Sequence, residues 1–304
     1  MKERNFLVFI NPISGAKNKD AAKAIVEKEL QANNFYYEVL PTEKEGKYIY
    51  LKDKIASENI TDIIICGGDG SVNQIGANLL GIKVNIGIIP LGSGNGLAFT
   101  AGIAKNPQDA MRTIINGNAQ YIDAFKINND FSCHLIGVGF DAEVAHQFAV
   151  HPSRGGATYV KLVLKNYFKA KPFPFQIKIA DKIINTEAFF VCVANSNQFG
   201  NKIKVAPKAS LSDGMLDIVF VNKTNKLTVF LKMVKHLLTG SVKILDDKKR
   251  VVQYFQAKKL SIINTENAPL HIDGEPYNTT INFEIEIIEK ALLLLMPKPK
   301  KNIK

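Results

Sequence analysis

Residues 62–73 read "DIIICGGDGSVN". A short apolar run ends in two glycines, an aspartate and a third glycine. A helical pattern follows in "SVNQIGANLL" (71–80), where Val72, Ile75 and Leu79 share one face. This order reads as a buried strand of a parallel sheet passing straight into a helix. Ligands of such sheets sit at the carboxyl ends of the strands. Gly67 and Gly68 lack Cβ, so the backbone can bend and a ligand can come close. The helix then offers free N–H groups and the positive end of its dipole, which suits phosphate. Asp69 is the odd member, because a carboxylate repels phosphate unless a divalent cation or a proton lies between them. The turn reads as a site for metal-bound phosphate, as one that polarises a hydroxyl, or as a plain strand–helix turn capped by Asp69.

Working outward, "PLGSGNGLA" (90–98) repeats the arrangement after the strand-like "VNIGIIP" (84–90). Ser93 can donate to a phosphate, and Asn95 can orient a ribose or phosphate oxygen. "NPISG" (11–15) follows the apolar "FLVFI" (6–10) in the same way. Three strand ends rich in Gly, Ser and Asn point to one nucleotide site. The chain has no G-x-x-x-x-G-K-[ST], no H-R-D with D-F-G and no G-x-S-x-G.

Strands and helices alternate through the first 120 or so residues. Helical patterns fall at 19–34, with Ala21, Ala24, Ile25, Val26 and Leu30 apolar, and at 47–58, 71–80 and 107–117. From Tyr121 the pattern is mostly strands joined by turns such as "NND", "ADK" and "DGE", interrupted by helices at about 156–169 and 225–239. The expected fold is an α/β N-terminal domain with a mostly parallel sheet (1–122), an antiparallel β-sandwich or barrel (123–296) and a basic tail (297–304).

The 304 residues carry 39 Lys+Arg against 28 Asp+Glu, a net +11 that favours an anionic partner. No nucleic-acid recognition motif accompanies the charge. The three cysteines (66, 133, 192) lie in apolar runs without C-x-x-C spacing, as buried free thiols of a reducing compartment do. "MKERNFLVFINP", with an apolar run of only five residues, reads as a first strand and not as a secretion signal, and "ALLLLM" (291–296) is far short of the roughly 20 residues of a membrane span. A cytoplasmic protein is expected. Residues 154–175 carry Arg154, Lys161, Lys165, Lys169 and Lys171 with interleaved Tyr159, Leu162, Val163, Tyr167 and Phe168 and no acids, which fits a helix on a membrane surface or one packed on the sandwich. The five histidines show no metal spacing, and His271 reads as packing or hydrogen bonding. Asp141 and Glu143 read as the acidic start of a helix, and Asp123 as structural.

Six pieces in order, "NPISG" (11–15), "GGDGSVNQIGANLL" (67–80), "PLGSGNGLAFTAGI" (90–103), "GVGFDAEVA" (137–145), "APKASLSDGMLDIVFV" (206–221) and "IDGEP" (272–276), resemble the diacylglycerol kinase catalytic-domain family of lipid kinases, relatives of the sphingosine kinases. The resemblance implies an α/β nucleotide domain, a C-terminal β-sandwich and an active site in the cleft between them. It implies transfer of the ATP γ-phosphoryl group to a lipid hydroxyl, with ATP and Mg²⁺ as cofactors. Carried over by position, Asn11, Pro12, Ile13, Ser14, Thr42, Gly67, Gly68, Asp69, Gly70, Ser71, Val72, Asn73 and Ser93 contact ATP. Glu275 is the proton acceptor, with Asp273 beside it and Asp69 as the other catalytic carboxylate. Asp213, Ser210 and the Met215 carbonyl hold a Mg²⁺. The implied partners are a lipid acceptor and a membrane surface, and a homodimer is compatible with them. Where bacterial members carry G-T-x-N-D-x-A, this chain has Gly96 after Asn95, and its "GSGN" is closer to sphingosine kinases. The acceptor is therefore open between a diacylglycerol and a sphingoid base. An NAD-kinase-like enzyme shares "GGDG", and a non-catalytic nucleotide- or lipid-binding regulator is the remaining alternative.

Overall fold

The computed structural model describes residues 3–12, 19–43, 46–153, 155–199, 204–227 and 251–298. Ile13, Ser14, Arg154, most of the segment expected to be helical over 225–239 and the end of the basic tail lie outside them. The chain divides into two units. The first holds the described residues up to Ala124, Leu211–Asp213 and the described residues from Ile288. The second holds Phe125–Ser210 and the described residues of Gly214–Ile287.

In the first unit, β1 (Asn5–Ile10), β2 (Tyr36–Pro41), β3 (Asp62–Gly67) and β4 (Asn85–Pro90) form a parallel sheet in the order β2-β1-β3-β4. The far end of β15 (Asn282–Met296) extends it beside β4, also in parallel, through Leu293 and Leu294. All six residues of β3 are buried. A strand with neighbours on both sides and helices over both faces has no solvated face, so it reads as a continuous apolar run. The helices are α1 (Lys19–Ala32), α2 (Leu51–Ser57), α3 (Asp69–Ala77), α4 (Gly96–Thr100) and α5 (Pro107–Asn116). Helix α1 buries Ala22, Val26 and Leu30, so Ala22 rather than Ala21 joins the buried face. Helix α2 starts at Leu51, later than the apolar pattern from residue 47 indicates, because residues 49–50 form a turn first. Asn106 caps α5 by accepting from the Gln108 and Asp109 amides, and Pro107 occupies the first helical position.

The amino ends of these strands are tied by charge. Arg4 Nε and Nη2 donate to buried Asp62 at 3.0 and 2.6 Å, and Asn85 Nδ2 adds a third bond at 2.9 Å. Two parallel bonds from one guanidinium are the strong form of this pairing. The Arg4 plane also lies 4.8 Å from the Phe6 ring. The carboxyl ends, by contrast, carry the glycine turns.

The second unit is an antiparallel β-sandwich. It contains β6 (Asp130–Ser132), β7 (Leu135–Gly139), β8 (Phe173–Ile179), β9 (Lys182–Ala194), β10 (Leu216–Asn222), β11 (Val252–Ala257), β12 (Lys259–Ile263), β13 (Leu270–Ile272) and β14 (Glu275–Tyr277), with helices α6 (Phe140–Val150) and α7 (Gly156–Tyr167). Strand β9 is 13 residues long. Its first half pairs with β8, and its second half runs between β7 and β10. Inward side chains such as Ile136, Val138, Phe175, Val191, Val193, Ile218 and Phe283 build one core. The single apolar stretch 131–140 becomes two strands, β6 and β7, and β11 is a strand that the sequence patterns leave unmarked.

Two strands pass from one unit into the other: β5 (Asn118–Ile127) and β15. At Lys290 the backbone of β15 takes a positive φ of 53°. Buried Asp123 holds that bend by accepting from the Lys290 amide at 2.8 Å. Asp123 is thus a structural carboxylate. Cys66, Cys133 and Cys192 are buried thiols in no disulfide.

Candidate functional site

The two glycine turns of the first unit pack back to back. A Cβ on Gly68 would lie 3.1 Å from the Gly92 Cα, and one on Gly92 would lie 2.5 Å from the Gly68 Cα. Only glycine fits at that approach. The Leu91 amide donates to the Gly67 carbonyl at 2.9 Å and ties the turns together. Asp69 supplies a second tie. Its carboxylate accepts from the Gly96 amide at 3.0 Å and the Leu97 amide at 3.2 Å. The aspartate of the first turn therefore caps α4, the helix that the second turn opens. This answers the anomaly of a carboxylate beside a phosphate-type turn: its charge sits against backbone donors.

Asn95 is buried, in left-handed backbone with φ 56°, and braces its own turn. Its Oδ1 accepts from the Gly92 amide at 2.8 Å, and its Nδ2 donates to the Gly92 carbonyl at 2.6 Å. It is a strut of the loop, and both ends of its amide are engaged there. Neither Asp69 nor Asn95 could be given these partners from sequence, because both sets of bonds depend on where the folded turns lie.

The other residues of this group sit as follows. Asn11 follows β1, and its Nδ2 donates to the buried Ser71 hydroxyl at 2.9 Å, while its amide donates to the Cys66 carbonyl. Pro12 accepts from Lys19 Nζ through its carbonyl. The Thr42 amide donates to the Ile10 carbonyl after β2. Val72 is buried, and its amide is bonded to the Gly68 carbonyl, so it contributes packing within α3. Gly70, Asn73 and Ser93 are partly exposed. The N-cap of α3 is Gly68, which has no side chain with which to cap the first turn. The first N–H groups of a helix have no partner within the helix and suit an anion. Ile13 and Ser14 lie outside the described residues.

In the second unit, Asp273 and Gly274 form the two-residue loop between β13 and β14, with Ile272 paired to Glu275. Their φ values are 50° and 85°. Positive φ at both central residues is the hairpin geometry that Asp-Gly favours. Asp273 is buried, and its carboxylate accepts from the Ser132 hydroxyl at 2.5 Å and the amides of Cys133, His134 and Leu135 at 3.2, 3.2 and 2.9 Å. Asp273 is therefore an anchor that pins the hairpin to the β6–β7 connection. Glu275 is exposed at the start of β14. Tyr277 holds the other end of β14 by donating to Asp130 at 2.6 Å, and that bond is the main reason its hydroxyl is pushed up to about 12.

Ser210, Asp213 and Met215 lie on the loop before β10, around Gly214 with φ 71°. Asp213 is exposed and Ser210 partly buried. One carboxylate, one hydroxyl and one carbonyl are hard oxygen donors and fit Mg²⁺ with water completing its shell. Among the described residues no group of three or more His, Cys, Asp or Glu gathers as a metal site. No helix among the described residues is long and apolar enough to cross a membrane.

Comparison with known proteins agrees with the fold of each unit. Residues 5–127 match the family model "Diacylglycerol kinase catalytic domain", and residues 134–296 match "YegS C-terminal NAD kinase beta sandwich-like domain". The chain is 26% identical over 301 residues to a diacylglycerol kinase of Bacillus subtilis, covering 96% of both chains. It is 25% identical over 289 residues to a "Probable lipid kinase YegS-like" of Shewanella frigidimarina, covering 93% of this chain and 91% of that one. A solved diacylglycerol kinase from Bacillus anthracis str. Sterne has the same fold, with a TM-score of 0.74 at 20% identity over 97% of this chain and 98% of that one. With its parallel glycine-turn unit and its antiparallel sandwich each matched in order, the chain belongs to the diacylglycerol kinase catalytic-domain family of lipid kinases, together with the YegS-like proteins.

Proposed function

We propose that this chain transfers the γ-phosphoryl group of ATP to the hydroxyl of a diacylglycerol or a closely related lipid alcohol. The observation that carries the reading is the packing of Gly68 against Gly92 beside the first turn of α3, whose N-cap is Gly68. Phosphoryl transfer asks a protein for positioning and charge stabilisation more than for covalent chemistry. A tied double turn that opens onto a helix N-terminus meets the first need. In the proposal Asn11, Pro12, Thr42, Gly67, Gly70, Ser71, Asn73 and Ser93 surround or brace those turns, and Ile13 and Ser14 are assigned to ATP on the resemblance alone.

Glu275 is our candidate for the proton acceptor. Its carboxylate is exposed, whereas Asp273 is buried in backbone donors and Asp69 is engaged with the α4 amides. In the reaction the lipid oxygen bonds to the γ-phosphorus, the bond to the β-phosphate oxygen breaks, ADP leaves, and the hydroxyl proton passes to Glu275. Mg²⁺ held through Asp213, Ser210 and the Met215 carbonyl would supply charge neutralisation and order to this region. The exposed side of α7 carries Lys161 and Lys165 and is followed by exposed Phe168, Lys169 and Lys171. We assign to this basic, partly apolar stretch the approach to an anionic membrane surface, from which the lipid comes.

The test is a labelled-ATP transfer assay over diacylglycerols, sphingoid bases, ceramide and phosphatidylglycerol. Label should appear in a diacylglycerol product, and Glu275→Gln should lower turnover by about 10²- to 10⁴-fold with an unchanged melting temperature. Label in a sphingoid base alone would move the acceptor to the second reading. Wild-type turnover in Glu275→Gln would remove the base assignment, and transfer to NAD instead of lipid would overturn the proposal.

A further inference from the structure

His271 lies on β13, one residue before Ile272 and the Asp273-Gly274 loop, and is 1% exposed. Its Nδ1 accepts from the Gly274 amide at 3.3 Å. An accepting Nδ1 means that the proton of the neutral ring is on Nε2. That nitrogen lies 3.5 Å from Oδ2 of Asp141, at the start of α6. Asp141 is 6% exposed, and this oxygen has no hydrogen bond among the described residues. Its other oxygen accepts from the Ala142 amide at 2.9 Å. A buried carboxylate oxygen with one nearby polar partner is an expensive arrangement, kept where orientation matters.

The strand opposite makes room for this pair. Gly137 of β7 is the register partner of His271. A Cβ at 137 would overlap both the Asp141 carboxylate and His271 Nε2. The Phe199 ring lies 5.9 Å from the imidazole and closes its side. The loop before Glu275 is therefore held at two successive residues by different means. Asp273 is fixed through its side chain in the 132–135 segment, and Gly274 is fixed through its amide on His271.

We propose that His271, oriented by Asp141, is a positioning residue that sets the direction of the Glu275 carboxylate by holding the Gly274 amide. The inference rests on the assignment of Glu275 as the proton acceptor. It extends the site to α6, whose Asp141 is in sequence only an acidic helix start, and it gives Gly137 a reason to be glycine. Misplacing a reacting group by about 1 Å can cost roughly 100-fold in rate, so a loosened Gly274 amide has kinetic leverage without any contact between His271 and substrate.

The test contrasts three substitutions. His271→Asn keeps an acceptor at the Nδ1 position, His271→Gln puts its amide near the Nε2 position, and His271→Leu has none. Amide hydrogen exchange at Gly274, read by NMR on the full chain without nucleotide, should be accelerated roughly tenfold or more in the Gln and Leu variants and stay near wild type in Asn. Turnover should fall roughly 10- to 100-fold in Gln and Leu with the KM for ATP within about twofold, and Asn should restore most of it. Asp141→Ala should give a smaller change in the same direction and covers the case in which His271→Leu fails to fold. Equal exchange and equal turnover in Asn and Gln would overturn the proposal, since a pure packing role does not distinguish them. A wild-type chain that phosphorylates no lipid would overturn the proposed function, while Gly274 exchange would still decide the hydrogen-bonding role.

Discussion

Gly92→Ala probes the double turn most directly. The added Cβ would sit 2.5 Å from the Gly68 Cα and 2.8 Å from Asn95 Oδ1. Carbon atoms pack best at about 3.5–4.0 Å, so the turns must part by roughly 1 Å. They cannot part freely. The Leu91–Gly67 bond and the Asp69 bonds to Gly96 and Leu97 resist, and the two Asn95–Gly92 bonds hold Asn95 Oδ1 against the new Cβ. Overpacking of this kind costs about 1–3 kcal/mol. If it falls on the bound geometry, ATP affinity drops by about 5- to 150-fold, since about 1.4 kcal/mol is tenfold. Gly81→Ala is the matched control. Gly81 has φ 76° with nothing within 4 Å of where a Cβ would stand, so alanine there costs about 1–2 kcal/mol of backbone strain away from the turns. Calorimetric ATP titration and thermal melts on both variants separate the effects. The expected result is a lower melting temperature in both and weaker ATP binding in Gly92→Ala alone. Wild-type ATP affinity in Gly92→Ala, or an equal loss in Gly81→Ala, would refute the reasoning.

Asp69→Ala should cost about 0.5–2 kcal/mol through the lost cap on α4, and Asp69→Asn, which keeps one acceptor, should cost less; denaturant midpoints measure both. Asp273→Ala should be more damaging, by about 3 kcal/mol or more. It leaves the buried amides of Cys133, His134 and Leu135 without their acceptor, and a thermal melt reads the loss. Glu143 has its carboxyl pushed up by burial, with the Asp141 charge second. An acid raised in the folded state gives stability that is full below its unfolded value, around 4.3, and is lost as pH rises through the folded value. Glu143→Gln should flatten the acid side of the melting-temperature profile and exceed wild type at neutral pH; a profile parallel to wild type would contradict the burial argument.

The layout of each unit was legible along the chain. "DIIIC" reads as an interior strand because no polar residue interrupts its apolar run, and the glycines behind it read as a sharp turn open to a ligand or as a plain strand–helix turn. "IDGEP" had to contain a tight hairpin, since Asp-Gly accepts two successive positive φ values. These are local rules, and neighbouring residues are enough to apply them. The roles of the aspartates came only with the folded chain. Asp69 caps a helix that begins 27 residues away, Asp273 fills a nest formed by residues 132–135, and His271 faces Asp141 across a strand that must be glycine at 137. A carboxylate looks the same in sequence whether it will meet a metal, a proton or a row of backbone amides. Its partner is chosen by which loops the sheet brings together, and no local rule contains that choice.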